Sequence, residues 1–178
     1  MKNRIELAKF FAQKGYKRGA EIGVFRGYYS TVLLDHIPGL NLLCVDSWST
    51  DTGWGINKNL SAFTIAIDNL KKYPNATVLK GDSIDVASLV IDNSLDFIYI
   101  DADHSYEAVK ADLNAWAPKV KSGGVVAGHD YFEARTLQVI PAVDEYAKEH
   151  GLKVETTEWD HENLQSDERQ PNWYFIKQ

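Results

Sequence analysis

Short apolar strands alternate with amphipathic helical stretches along this chain, and that alternation constrains the fold more than any other feature. Residues 18–24 read as a strand ending in glycine, and residues 28–36 as a helix stopped by Pro38-Gly39. Residues 40–45 are nearly all apolar, the mark of a strand buried on both faces. Leu60, Phe63, Ile67 and Leu70 recur at helical spacing within residues 58–73, and Pro74 closes that helix. Strands are predicted over 77–80, 95–100, 125–127, 152–157 and 173–177. Ser83 is positioned to cap a short helix running to about Val90, and Ser105 to cap a helix with the stripe Val109, Leu113, Trp116 and Val120. Ser122-Gly-Gly reads as a turn, and residues 136–150 as a helix ended by Gly151. At the start, residues 3–14 form a first helix with Ile5, Ala8 and Phe11 on one face.

The pattern predicts an α/β fold with helices on both faces of a seven-stranded, mostly parallel sheet. No helix separates the last two strands, so the seventh is expected to run antiparallel to the sixth. With 178 residues and no linker or repeat, the chain is expected to be a single domain spanning 1–178. Nineteen Lys and Arg against twenty-five Asp and Glu give a formal charge of -6. That balance offers nothing to attract a phosphate backbone, so no nucleic-acid partner is expected. The apolar runs are too short to span a bilayer, so no membrane partner is expected either. Cys44 is the one cysteine, and the first residues carry no secretory signal. Both features point to a reducing, cytoplasmic setting.

An open α/β sheet binds its ligand at the carboxyl ends of its strands, near the point where strand order reverses. All five of the first strands end in polar residues. The first ends Glu21-Ile-Gly23-Val-Phe-Arg-Gly27, whose glycines let backbone approach a ligand but lack the third glycine of a dinucleotide fingerprint. The second ends in Asp46, an acid placed to accept from a ribose diol or to cap a loop. The third ends Gly81-Asp82-Ser83, where Asp82 either accepts from an exocyclic amine or caps a helix. The fourth ends Asp101-Ala-Asp103-His104, and the fifth Gly128-His129-Asp130-Tyr131. Neighbouring parallel strands lie about 5 Å apart, so Asp101 and Asp130 can share one cation if their strands are adjacent.

The series Glu21-x-Gly23-x-x-x-Gly27, Asp46, Gly81-Asp82 and Asp101 resembles the class I S-adenosylmethionine-dependent methyltransferases, across nearly the whole chain. Residues Ile100-Asp-Ala-Asp-His-Ser-Tyr-Glu107 and Gly123-Gly-Val-Val-Ala-Gly-His-Asp-Tyr131 are similar to the methyltransferase domain 24 type and to metal-dependent O-methyltransferases. The resemblance implies a Rossmann-like fold and one class I methyltransferase domain. It places Glu21 beneath the methionine part of the cofactor and the Gly23–Gly27 backbone close to it. Asp46 then holds the ribose, Asp82 with Ser83 meets the adenine, and Asp101 completes the cofactor edge. It implies S-adenosylmethionine as cofactor and Mg²⁺ or another divalent cation at Asp101, His129 and Asp130. Of these positions, His129 or Tyr131 departs from the family's pattern, depending on the alignment. His104 stands where the family carries its general base, and a neutral imidazole can take a hydroxyl proton near pH 7.

The expected activity is therefore methylation of a hydroxyl on a small molecule or sugar. Two loops are candidates to shape the acceptor pocket: the segment with Trp48 and Trp54, and the acidic stretch 160–170. The same reading leaves room for a homo-oligomer, with Tyr16, Tyr28 and Tyr29 either at an interface or in the core. One rival is a metal-dependent glycosyltransferase using Asp101-Ala102-Asp103 as a D-x-D motif. The other is a non-catalytic protein that keeps the cofactor pocket.

Overall fold

The computed structural model describes residues 1–49, 56–134, 136–161 and 169–178, with side chains from residue 60 onward in the second span. Trp54 and most of the acidic 160–170 stretch lie outside the described residues. Seven strands form one sheet: β1 (Arg18–Ile22), β2 (Asn41–Asp46), β3 (Ala76–Lys80), β4 (Leu95–Ile100), β5 (Val120–Gly128), β6 (Glu155–Thr156) and β7 (Trp173–Ile176). Their order is β3-β2-β1-β4-β5-β7-β6. The first five are parallel, and β7 runs antiparallel to both β5 and β6. The expected antiparallel last strand is thus present, inserted between β5 and β6. Strand order reverses between β1 and β4, which makes their carboxyl ends the switch point.

Helices α1 (Arg4–Gln13), α2 (Tyr28–His36) and α3 (Ile56–Leu70) pack on one face. Helices α4 (Ser83–Ser88), α5 (Tyr106–Trp116) and α6 (Val139–Glu149) cover the other. All six residues of β4 are buried, as a central parallel strand requires. Phe97 and Tyr99 face the first helical layer, while Ile98 and Ile100 face the second.

Several local expectations change. The inward stripe of α1 is Arg4, Leu7, Ala8 and Phe11, and Ile5 is exposed. Helix α3 buries Ala62, Ala66 and Leu70, leaving Leu60 and Ile67 exposed. The helix sits so close that Ala66 Cα lies 3.5 Å from where a Cβ on Gly27 would be. Two alanines therefore take inward positions beside Leu70, while Leu60 and Ile67 of the expected stripe face out and Phe63 packs at the margin on Trp48. Asp82, not Ser83, caps α4, accepting from the Ile84 and Asp85 amides. Ser83 instead donates to Asp112 on α5. The stretch 122–124 lies inside β5, where the pairing register with β4 shifts and Gly123 turns to φ 77°. Val120 belongs to β5, not to the α5 stripe. Helix α6 begins at Val139, three residues later than expected. Tyr16 and Tyr29 are core residues, while Tyr28 is exposed. Among the described residues no helix is long and apolar enough to cross a membrane.

Candidate active site

At the switch point the chain passes itself at very short range. Gly23 follows β1 at φ 91°, and a Cβ there would lie 2.0 Å from the Asp101 carbonyl oxygen. Only glycine permits that approach. Its amide donates to Val45 O at 2.9 Å, and the Asp101 amide to Ile22 O at 2.7 Å. These bonds extend the sheet one step beyond its strands. The loop then turns through Phe25 at φ 50° and Gly27 at φ 74° before α2 begins.

Asp46 holds that loop from below. Its Oδ2 accepts from the Phe25 amide at 2.8 Å, and its Oδ1 from the Trp48 amide at 2.7 Å. Trp48 is buried, packs on Phe63 at 4.8 Å, and donates its indole N–H to Phe25 O at 2.8 Å. Trp48 thus clamps the glycine loop onto α3. Burial raises the Asp46 pKa, and the amide bonds offset part of that rise. Asp82, by contrast, is exposed at the N-terminus of α4.

Glu21 is fully enclosed beneath the loop and accepts from the Ser30 hydroxyl on α2. Burial pushes its pKa up to about 8; the Ser30 bond opposes this, and the Asp101 charge adds to it. Burial therefore favours the protonated form, Arg4 works against it, and a further positive group above Glu21 would favour ionisation.

The ends of β4 and β5 bring four of the expected residues together. His104 Nε2 lies 3.4 Å from Asp101 Oδ1 and 3.3 Å from Asp130 Oδ2. His129 Nδ1 lies 3.7 Å from Asp101 Oδ2 and 3.5 Å from Asp130 Oδ1. Each imidazole therefore spans both carboxylates. The two differ in access: the His104 side chain is 29% exposed and that of His129 only 3%. Potential ligand atoms of Asp101, His104 and Asp130 all lie within 4.8 Å of one another. Asp130 adopts φ 58°, an unusual conformation for a non-glycine residue. Strain of this kind gathers at functional sites.

The charges follow from these contacts. Burial works against an ionised Asp101, but His129, His104 and Arg4 outweigh it and hold its pKa well below the usual range. Burial also disfavours a charged His104, yet Asp101, Asp130 and Asp103 raise its pKa. Burial raises the Asp130 pKa, with Asp101 adding to it and His129 opposing. Asp103 is exposed and accepts from the Ser105 amide at 2.7 Å. It closes the turn into α5.

Sequence reasoning missed Arg4 and Ser30. Arg4 opens α1, is buried, and places a guanidinium nitrogen 3.8 Å from Asp101 Oδ2. One signal was available, because residues 4, 7, 8 and 11 form a better helical stripe than 5, 8 and 11 once a charged member is admitted. Ser30 meets Glu21 only because α2 folds back over β1, which no spacing announces.

Comparison with known proteins places this geometry in context. The sequence model described as a methyltransferase domain matches residues 20–131. An uncharacterized protein of Acanthamoeba polyphaga mimivirus is 29% identical over 134 residues, covering 70% of this chain and 56% of that protein. An uncharacterized protein of Sinorhizobium fredii is 28% identical over 118 residues, covering 64% of this chain and 13% of that protein. The match thus spans about half of the first relative and a small part of the second. Among solved structures, an O-methyltransferase of Bacillus cereus in complex with S-adenosylhomocysteine superposes with a TM-score of 0.71 at 16% identity. That superposition covers 98% of this chain and 80% of the other. A precorrin-6y C5,15-methyltransferase of Geobacter metallireducens gives 0.69 at 16% identity, over 97% and 87%. At such identities the likeness concerns the fold.

Proposed function

Because the chain belongs to the methyltransferase-domain family, we propose that it transfers the methyl group of S-adenosylmethionine to a hydroxyl of a small molecule or sugar. The observation that carries the reading is a coincidence of span and geometry. The matched residues 20–131 contain every expected site residue, from Glu21 to Asp130. The fold gathers them along one sheet edge.

On this reading the cofactor lies over the glycine loop, with its methionine part above Glu21 and its ribose at Asp46. Asp82 and Ser83 stand at the adenine end, and Asp101 closes the edge. The methionine ammonium and the sulfonium are cations, which suits a buried acid ready to ionise. The enzyme's main task is placement, since the sulfonium already activates the methyl group. The acceptor oxygen must sit about 3 Å from the methyl carbon and in line with it.

His104 is the base. It reaches the cluster yet stays accessible, and Asp101 and Asp130 stabilise the imidazolium formed when it takes the hydroxyl proton. Asp101 and Asp130 are also placed to hold a divalent cation, with the buried His129 as the third group facing them. Hard carboxylate oxygens on adjacent strand ends fit Mg²⁺, and the imidazole admits a transition ion. When bound, such an ion lowers the pKa of the acceptor hydroxyl.

The test is calorimetric titration of the protein with S-adenosylhomocysteine, in Mg²⁺ and again in a chelator. Micromolar binding is expected in both. Absence of binding in both would overturn the proposal and return attention to a non-catalytic role.

A further inference from the structure

The proposed reaction leaves Arg4 without a task, although the fold goes to some length to place it. Arg4 is the first residue of α1, 7% exposed, and lies at the carboxyl edge of a sheet it does not belong to. Its guanidinium carbon stands 4.8 Å over the Tyr29 ring, which packs at 4.2 Å on Tyr99. The Tyr99 hydroxyl donates to Asn172 Oδ1 at 2.6 Å, which leaves its oxygen to accept from Arg4. Burying a permanent charge is unfavourable unless a partner compensates it. Here the partner is Asp101.

The two oxygens of Asp101 are divided. Oδ1 faces His104, while Oδ2 faces Arg4 and His129. Arginine cannot shed its proton at accessible pH. A divalent ion held between Asp101 and Asp130 would therefore share its carboxylates with a fixed positive neighbour. At such range, and away from bulk water, like charges repel strongly.

We propose that Arg4 is the resident counter-cation of this cluster: it orients the Asp101 carboxylate and holds down the affinity of the Asp101–Asp130 pair for a divalent ion. The inference rests on the methyltransferase reading of the site. Its consequence is that a cation is held firmly only when an acceptor oxygen adds a further ligand.

The experiment is titration of the full chain with Mn²⁺, following the free ion by electron paramagnetic resonance. Wild type, Arg4→Met, Arg4→Gln and Arg4→Lys are compared. Arg4→Met keeps an apolar stem against Tyr29 while removing the charge, and Arg4→Gln is a second neutral replacement should the first fail to fold. The folded neutral variants are expected to bind Mn²⁺ about tenfold tighter than wild type. Arg4→Lys, which keeps the charge, is expected to stay within about threefold. A folded neutral variant with unchanged or weaker affinity overturns the proposal, as does the absence of Mn²⁺ binding in every form. Titration of the same proteins with S-adenosylhomocysteine separates the two ideas. Failure of wild type to bind it would strike the methyltransferase reading, whereas normal binding with unchanged Mn²⁺ affinity would strike the role of Arg4 alone.

Discussion

The amide of Phe25 donates to Asp46 Oδ2 at 2.8 Å, so the acid that ends β2 holds the loop after β1 in its left-handed turn. Removing the carboxylate leaves two amides without acceptors and loosens the surface over which the cofactor is proposed to lie. Asp46→Ala is expected to cost about 1–3 kcal/mol of stability and to weaken S-adenosylhomocysteine binding roughly tenfold or more. Thermal unfolding and calorimetry check the two effects. Unchanged affinity would remove Asp46 from the cofactor site.

Gly23 admits no side chain. Its φ of 91° is strained for other residues, and the Asp101 carbonyl occupies the space a Cβ needs. Gly23→Ala is expected to destabilise by roughly 3 kcal/mol or more, lowering the melting temperature by about 6–12 °C. A melting temperature within a degree of wild type would mean that β1 and β4 separate here without cost.

Glu21 makes stability and ligand binding depend on pH in opposite directions. Its pKa is about 8 in the fold against an ordinary 4.5, so the folded chain binds this proton more tightly than the unfolded chain. Between those values the native state carries the extra proton, and stability falls as pH rises through the window, by at most ~1.4 kcal/mol per unit. The ligand's ammonium above Glu21 favours the ionised acid, so S-adenosylhomocysteine binding is expected to strengthen from pH 6 to 8. Glu21→Gln should flatten both trends. A variant that keeps the wild-type slopes would show that another group sets them.

Asp82 carries two separable roles. As the cap of α4 it accepts two amides, and Asp82→Ala is expected to cost about 1 kcal/mol. Asp82→Ser keeps a capping oxygen but loses the carboxylate. If the acid also meets adenine, the serine variant should regain stability yet bind S-adenosylhomocysteine as weakly as the alanine variant. Full recovery of binding would leave Asp82 a cap only.

His104→Ala is expected to slow turnover by roughly 10²–10⁴-fold while leaving S-adenosylhomocysteine binding near wild type. Kinetics with a hydroxyl acceptor check this. Unchanged turnover would assign the proton to another group.

Much of the architecture was legible in the residues. Alternating apolar strands and amphipathic helices, caps and glycine stops are local signals. They led to a seven-stranded α/β sheet with an antiparallel last strand, and polar residues at five strand ends marked the functional edge. Local signals misled where packing distance decided the outcome. In α3 the large apolar residues set the period, but the close approach to Gly27 brought the alanines inward. In α1 a charged residue took an inward position that a hydrophobic count excludes. The alternation and the placement of Glu21, Asp46, Asp82, Asp101 and Asp130 at strand ends were determined by the sequence alone, because backbone preference and burial act over a few residues. Only the tertiary structure decided that Arg4, His104 and His129 share the carboxylates of Asp101 and Asp130, and that Ser30 closes over Glu21. Those contacts join segments as much as a hundred residues apart, and a charge is recruited there by the field of the assembled sheet edge.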